Sequence, residues 1–165
     1  MGDATWQIAK TKPEVDFLAL EVHLPGIGSL LSAIKGADLH NIRIINFAAG
    51  QVIRDMLLPE SIAGFHIFFP DPWPKKRHHK RRLINEKFIE LLCSRLEKGG
   101  YIHIATDWHD YAIEILEIMN RNHFLANTSL SNDFCFRPQD RPQTKFEKRG
   151  ISLGHSVWDL YFVRK

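Results

Sequence analysis

The chain has 165 residues, 44% of them hydrophobic and 25% charged, which suits one soluble folded domain over residues 1–165 and excludes a disordered chain. No stretch approaches the roughly 20 apolar residues of a membrane-crossing helix. Two cysteines, Cys93 and Cys135, are too few for a disulfide framework and point to a reducing compartment. The net charge of +3 conceals a concentrated block: Lys75-Lys76-Arg77-His78-His79-Lys80-Arg81-Arg82 holds six cations and no acid. Without those six the rest of the chain carries −3, so a localised polyanion contact is expected.

In chain order, a short helix is expected over Asp3–Lys12 and a buried strand over Val15–Val22. A helix over Pro25–Ile34 opens on its proline and closes on Gly36. A second strand follows at Asn41–Phe47, then a short helix at Gly50–Leu58. The third strand, Phe65–Phe69, is stopped by Pro70 and Pro72. Asn85–Leu96 repeats apolar residues at helical spacing, with Gly99-Gly100 expected to end it. Tyr101–Ala105 reads as a strand, Trp108–Met119 as a helix and Val157–Val163 as a closing strand after an irregular stretch. Strands alternating with helices predict an α/β domain with a mostly parallel sheet. In such sheets ligands sit beyond the carboxyl ends of strands, so chemistry is sought there.

Four strand ends carry polar groups. Glu21 is placed to accept from ribose hydroxyls, or is a carboxylate in a solvated loop. Ala48 lies in the turn after the second strand. In Pro70-Asp71-Pro72-Trp73-Pro74 the prolines stiffen the backbone and would aim Asp71 at a base edge; the alternative is an Asp capping a turn. Trp73 either stacks on a base or covers the core, and the core is the expectation. Arg77, Lys80, Arg81 and Arg82, with His78 and His79, are expected to meet phosphates, against the plainer reading of a solvated basic surface. The histidines lack spaced partners for zinc, so no metal is expected. Asp107 follows the fourth strand. Thr144-Lys145-Phe146-Glu147 can hydrogen-bond and stack, and without outside knowledge it reads as a loop leading into a turn of helix. Cys93 is expected in the core, and cysteine nucleophilic chemistry is not expected.

The run Phe68-Phe69-Pro70-Asp71-Pro72-Trp73 with Lys75 and Arg77–Arg82 resembles the signature of bacterial tRNA (guanine-N7)-methyltransferases. So do Ala105-Thr106-Asp107-Trp108, the segment from Arg141 to Gly150, Val157-Trp158-Asp159-Leu160, and Glu21-Val22-His23 with Pro25-Gly26. The resemblance implies a class I S-adenosylmethionine-dependent methyltransferase of Rossmann-like fold, with helices on both faces of the sheet. It implies methylation of guanine N7 in the tRNA variable loop, in the cytoplasm, by a monomer or homodimer. Carried over by motif, Glu21 binds the cofactor ribose and Asp71 is the catalytic residue close to cofactor and base. Lys75, Asp107, Thr144, Lys145, Phe146 and Glu147 contact the guanine or its neighbours, and Arg77–Arg82 contact RNA.

Two departures from the family pattern stand out. The family's first strand and glycine-rich loop are missing from this chain, which implies open edges on the strands ending at Glu21 and Phe69. The family's usual acid for the adenine amino group is replaced by Ala48, leaving only backbone groups there to meet the cofactor. The competing expectation is a non-catalytic RNA-binding fragment that has lost the cofactor site. A methyltransferase for a small molecule or protein would leave residues 75–82 unexplained.

Overall fold

The structure, a computed structural model, describes residues 2–152 and 154–165, with Lys145 and Phe146 described by their backbone alone. Its contacts gather into two compact units, Met1–Met56 with Pro138–Arg149, and Leu57–Arg137 with Gly150–Lys165.

The first unit runs α1 (Asp3–Thr11), β1 (Phe17–Leu20), α2 (Leu24–Gly36), β2 (Ile42–Ile45) and α3 (Ala49–Asp55). Helix α1 buries Ile8 and Ala9. Strands β1 and β2 pair in parallel from Phe17 opposite Ile42 to Leu20 opposite Ile45. Parallel neighbours need a crossover, and α2 supplies it, with Pro25 in its first turn. The Asn41 amide is shared among the carbonyls of Ala9, Lys12 and Val15 at 3.0, 3.1 and 2.9 Å, which fixes the entry into β1. Helix α6 (Lys145–Ser152) begins in the returning segment. It is longer than the turn expected there. Thr144 accepts from the Glu147 N–H at 3.1 Å, one half of the Thr-x-x-Glu capping pattern.

The second unit contains β3 (Ile62–Phe68), a 3-10 helix at Lys76–Arg81, α4 (Glu86–Arg95), β4 (Leu96–Thr106), α5 (His109–Arg121), β5 (Leu125–Asn127) and β6 (Trp158–Arg164). The strand order is β3-β4-β6-β5; β3 is parallel to β4, and β6 is antiparallel to both its neighbours. With β6 alone reversed, β3, β4 and β5 run in one direction. Successive side chains alternate between faces. On one face Ile102 and Ile104 lie opposite Phe162 and Leu160, all buried, with Tyr111, Ala112, Ile115 and Met119 of α5 and Ile89 and Leu92 of α4 also in the core. The other face carries His66, whose Nε2 is 2.8 Å from the Tyr101 hydroxyl, and the buried pair His103–Asp159 at 2.8 Å.

Two local expectations change. Gly99 and Gly100 do not end α4. That helix stops at Arg95 because Leu96 takes extended backbone, and the glycines lie inside β4. The register slips between Ile62 and Gly64, Gly99 has φ +79°, and a Cβ at Gly100 would lie 3.0 Å from the Ala63 carbonyl. The two glycines therefore serve an irregularity in the strand rather than a helix cap. Strand β5, with Leu125 as its one buried residue, is too short to show a period. Among the described residues β1 pairs with β2 and β3 with β4.

Glycine substitutions test these packing assignments. A Cβ at Gly64 would sit 2.4 Å from the Tyr101 ring, whereas one at Gly28, inside α2, meets nothing within 4 Å. Gly64→Ala should lower stability by about 1–3 kcal/mol through overpacking. Gly28→Ala should raise it by about 0.5–1 kcal/mol. Denaturant melts giving both changes the same sign would contradict this packing.

Candidate active site

In the second unit, β3 and β4 run in parallel register to Phe68 opposite Ala105, and the Phe69 N–H donates to the Ala105 carbonyl at 2.7 Å. Both strands therefore end at the same level. The proline loop leaves one and Thr106-Asp107 the other, so Asp71 and Asp107 emerge from adjacent strand ends. This is the carboxyl edge at which α/β sheets bind ligands.

Asp71 is exposed, and its Oδ1 accepts from the Trp73 N–H at 3.1 Å. The turn-capping alternative is thus realised with one oxygen, which leaves Oδ2 without a protein partner among the described residues. Phe69 and Trp73, on either side of Asp71, have φ of 54° and 44°. Left-handed backbone at such residues costs about 1–3 kcal/mol each and persists only where surroundings enforce it. Asp107 is half-buried and its carboxylate also has no partner among the described residues. The next turn is fixed by the Trp108 N–H donating to Thr106 Oγ1 at 3.2 Å.

Trp73 is not a core residue. It is half-buried, with the Arg81 guanidinium 4.9 Å from its ring centroid and His78 edge-on at 5.8 Å. Lys75 is exposed at the start of the 3-10 helix, and its carbonyl accepts from the His78 N–H at 2.7 Å. Arg77, Lys80 and Arg81 are exposed and meet no carboxylate among the described residues; His78 and His79 are half-buried.

Arg82 departs from the expectation of an RNA contact. Its side chain is 2% exposed, its Nε donates to the Pro72 carbonyl at 2.8 Å, and it pairs with Glu114 of α5. Its guanidinium lies 4.6 Å from the centroid of the buried Tyr111 ring. A cation held so far from solvent is not available to a phosphate. Tyr111 in turn accepts from the Ile84 N–H at 3.0 Å, and burial pushes its phenol up to about 12. The sequence did not show that Tyr111 and Glu114 hold Arg82, although their i, i+3 spacing puts them on one face of α5.

In the first unit, Glu21 and Ala48 follow the parallel ends of β1 and β2. Glu21 is half-buried, and its Oε1 accepts from the His23 N–H at 2.8 Å. Its carbonyl accepts from the Asn46 amide at 3.0 Å. Ala48 is exposed at the start of α3 and brings no polar side chain; Phe47 beside it is 51% exposed. Glu21 therefore presents a carboxylate that a hydroxyl could donate to, while a base beside Ala48 would meet backbone and the Phe47 ring. These residues fit a nucleoside, with one fewer side-chain acceptor than the family pattern has.

The 144–147 motif divides. Thr144 caps α6 through its hydroxyl. Glu147 is 3% exposed, and both its oxygens accept from Arg141, itself 2% exposed, at 2.7 Å. That bidentate pair takes Glu147 out of the group expected to touch a base and makes it the partner of Arg141. The side chains of Lys145 and Phe146 lie outside the described residues. Among the described residues no three His, Cys, Asp or Glu side chains gather to hold a metal ion. Burial pushes the Cys93 thiol up to about 11, so its thiolate is scarce near neutrality.

A family model described as "Putative methyltransferase" matches residues 1–160. The tRNA (guanine-N(7)-)-methyltransferase of Nitrosospira multiformis is 54% identical over 165 residues, spanning all of this chain and 71% of that protein. The enzyme of the same name from Nitrosomonas eutropha is 56% identical over 164 residues, 99% of this chain and 72% of its own length. Among solved structures, an rRNA methylase from Streptococcus thermophilus has a TM-score of 0.58 at 12% identity, covering 94% of this chain and 78% of that one. A Streptococcus mutans protein described as a putative methyltransferase and solved with SAH has a TM-score of 0.55 at 10% identity, covering 91% and 76%. The structural likenesses show the class I methyltransferase fold, and the sequence matches show more: this chain belongs to the tRNA (guanine-N7)-methyltransferase family.

Proposed function

We propose that the protein methylates N7 of a guanine in the tRNA variable loop, with S-adenosylmethionine as donor. The observation that carries the reading is the pair of carboxylates, Asp71 and Asp107, at adjacent parallel strand ends, with the exposed cations Lys75, Lys76, Arg77, Lys80 and Arg81 following Asp71 in the chain. One domain spanning both units belongs to this reading, since the family match runs through residues 1–160. Among the described residues no helix is long and apolar enough to cross a membrane, and a cytoplasmic setting beside tRNA agrees with that.

The donor supplies a methyl group already activated on a sulfonium sulfur. Guanine N7 has a free lone pair, so no protein base is needed to create the nucleophile. The residues of this chain therefore work by alignment and by electrostatics. Glu21 accepts from the cofactor ribose. Asp107 and Lys75 orient the base, a carboxylate suiting the guanine N1–H and exocyclic amine. The purine gains positive charge as N7 is alkylated, and the fixed carboxylate of Asp71 favours that charge. Arg77, Lys80 and Arg81 hold the phosphate backbone, and His78 steadies Trp73 beside them. A guanine within folded tRNA must leave its stack to reach such a site.

Two measurements test the reading. The protein expressed from the full open reading frame, incubated with tRNA and methyl-labelled donor, should put label on guanine N7, located by nuclease digestion and mass spectrometry. Label on another atom, or none, overturns the assignment. Arg77→Ala combined with Lys80→Ala should weaken tRNA binding and flatten its salt dependence by about 1–2 in log–log slope. A slope equal to wild type removes these cations from the RNA contact.

A further inference from the structure

Loop 70–74 has an anchoring problem. Pro70, Pro72 and Pro74 carry no N–H, so the segment cannot tie itself down by donating from those positions. Its ends are strained as well, since Phe69 and Trp73 hold left-handed backbone that neither would adopt in a free chain. Something outside the loop must enforce its shape. Phe69 is tied to Ala105 at the strand end, but among the described residues the Trp73 N–H reaches only the Asp71 carboxylate, which is inside the loop.

The outside tie found at the middle of the loop is Arg82, whose Nε meets the Pro72 carbonyl at 2.8 Å. Three things make that donor immobile. Glu114 pairs with one guanidinium nitrogen, the Tyr111 ring lies beneath the guanidinium plane, and the Arg82 N–H closes the 3-10 helix on the His79 carbonyl at 2.9 Å. The arrangement is not one that stability alone favours. Among the described residues no acceptor meets the buried Arg82 Nη2, and apolar replacements of buried ion pairs are often at least as stable. An apolar residue would fill the space but could not donate to Pro72.

We propose that Arg82 is a positioning residue: its buried guanidinium, locked by Glu114 and Tyr111, clamps the Pro72 carbonyl and so keeps the Asp71 carboxylate aimed. This rests on Asp71 acting in the methylation described above. Neighbouring arginines then have opposite tasks. Arg81 faces outward over Trp73 toward RNA, and Arg82 faces inward under the loop.

The test uses the protein from the full open reading frame. Arg82→Lys keeps the charge but loses the planar fork that serves Pro72 and Glu114 together. Small misplacements near the chemistry cost on the order of 100-fold, so kcat should fall about 30- to 100-fold with KM for tRNA within about twofold. The salt dependence of tRNA binding should match wild type. Amide exchange of residues 69–75 should speed up about tenfold or more, with β4 and α5 still protected. Arg81→Ala serves as the contrast and should flatten the salt slope. Wild-type kcat in Arg82→Lys, or a flattened slope in it, overturns the proposal. Glu114→Gln keeps Arg82 while weakening its lock, and it decides the matter should Arg82→Lys fail to fold. It should lower kcat about 3- to 10-fold and loosen 69–75, and wild-type values for both overturn the clamp. The exchange readout needs no turnover, so the clamp is judged separately from the methylation itself.

Discussion

The parallel pairing of β3 with β4 is the constraint from which the rest of the candidate site follows. Five consecutive partners, Gly64 opposite Tyr101 through Phe68 opposite Ala105, bring both strands to one level. Gly64 is what permits that approach, because the Tyr101 ring occupies the space a Cβ would take. A slip of one residue would turn the apolar face formed by Ile102 and Ile104 outward. The register is thus fixed by the core, and the core in turn fixes where the two carboxylates leave the sheet. The position of the candidate site is inherited from hydrophobic packing.

What the sheet does not determine, the loops resolve by strain and by buried charge. Prolines restrict the segment after β3 but leave it short of donors, and its left-handed residues raise its energy. Compensation comes from α5, whose Tyr111 and Glu114 hold Arg82 beneath the loop. A second buried guanidinium plays a comparable part in the other unit, where Arg141 grips Glu147 after Thr144 has started α6. In both places a residue that looks like a ligand contact in a basic or polar motif is a structural neighbour of one. Composition registers a guanidinium as charge, whereas the fold decides whether that charge meets solvent.

Much of the fold was legible because its signals are periodic. The apolar spacing of Phe88, Ile89 and Leu92 in α4 and of Tyr111, Ile115 and Met119 in α5 marked helices that bury those residues. The strand ends were legible from where apolar runs met Pro70 or Asp107. Gly99-Gly100 misled because paired glycines serve helix caps and strand irregularities equally well, and only the register of β3 against β4 distinguishes them. Strand β5 was invisible at three residues. Arg82 was misassigned because its burial depends on a partner distant in sequence, Glu114 being 32 residues away, and Trp73 because its ring meets Arg81 and His78 of the neighbouring basic stretch rather than the core. The Thr144–Glu147 cap was readable, since Thr-x-x-Glu is a helix-start pattern.

On the proposed function, a negative charge held in one direction at the end of β3 favours the cationic purine as it forms. Asp71→Asn tests this most directly, because an amide oxygen can still accept from the Trp73 N–H while the charge is gone. Single-turnover methyl transfer to pre-bound tRNA should slow by about 10²–10³-fold, the usual effect of losing one preorganised electrostatic contact. A rate within a factor of about three of wild type would mean that the Asp71 charge has no part in the chemistry.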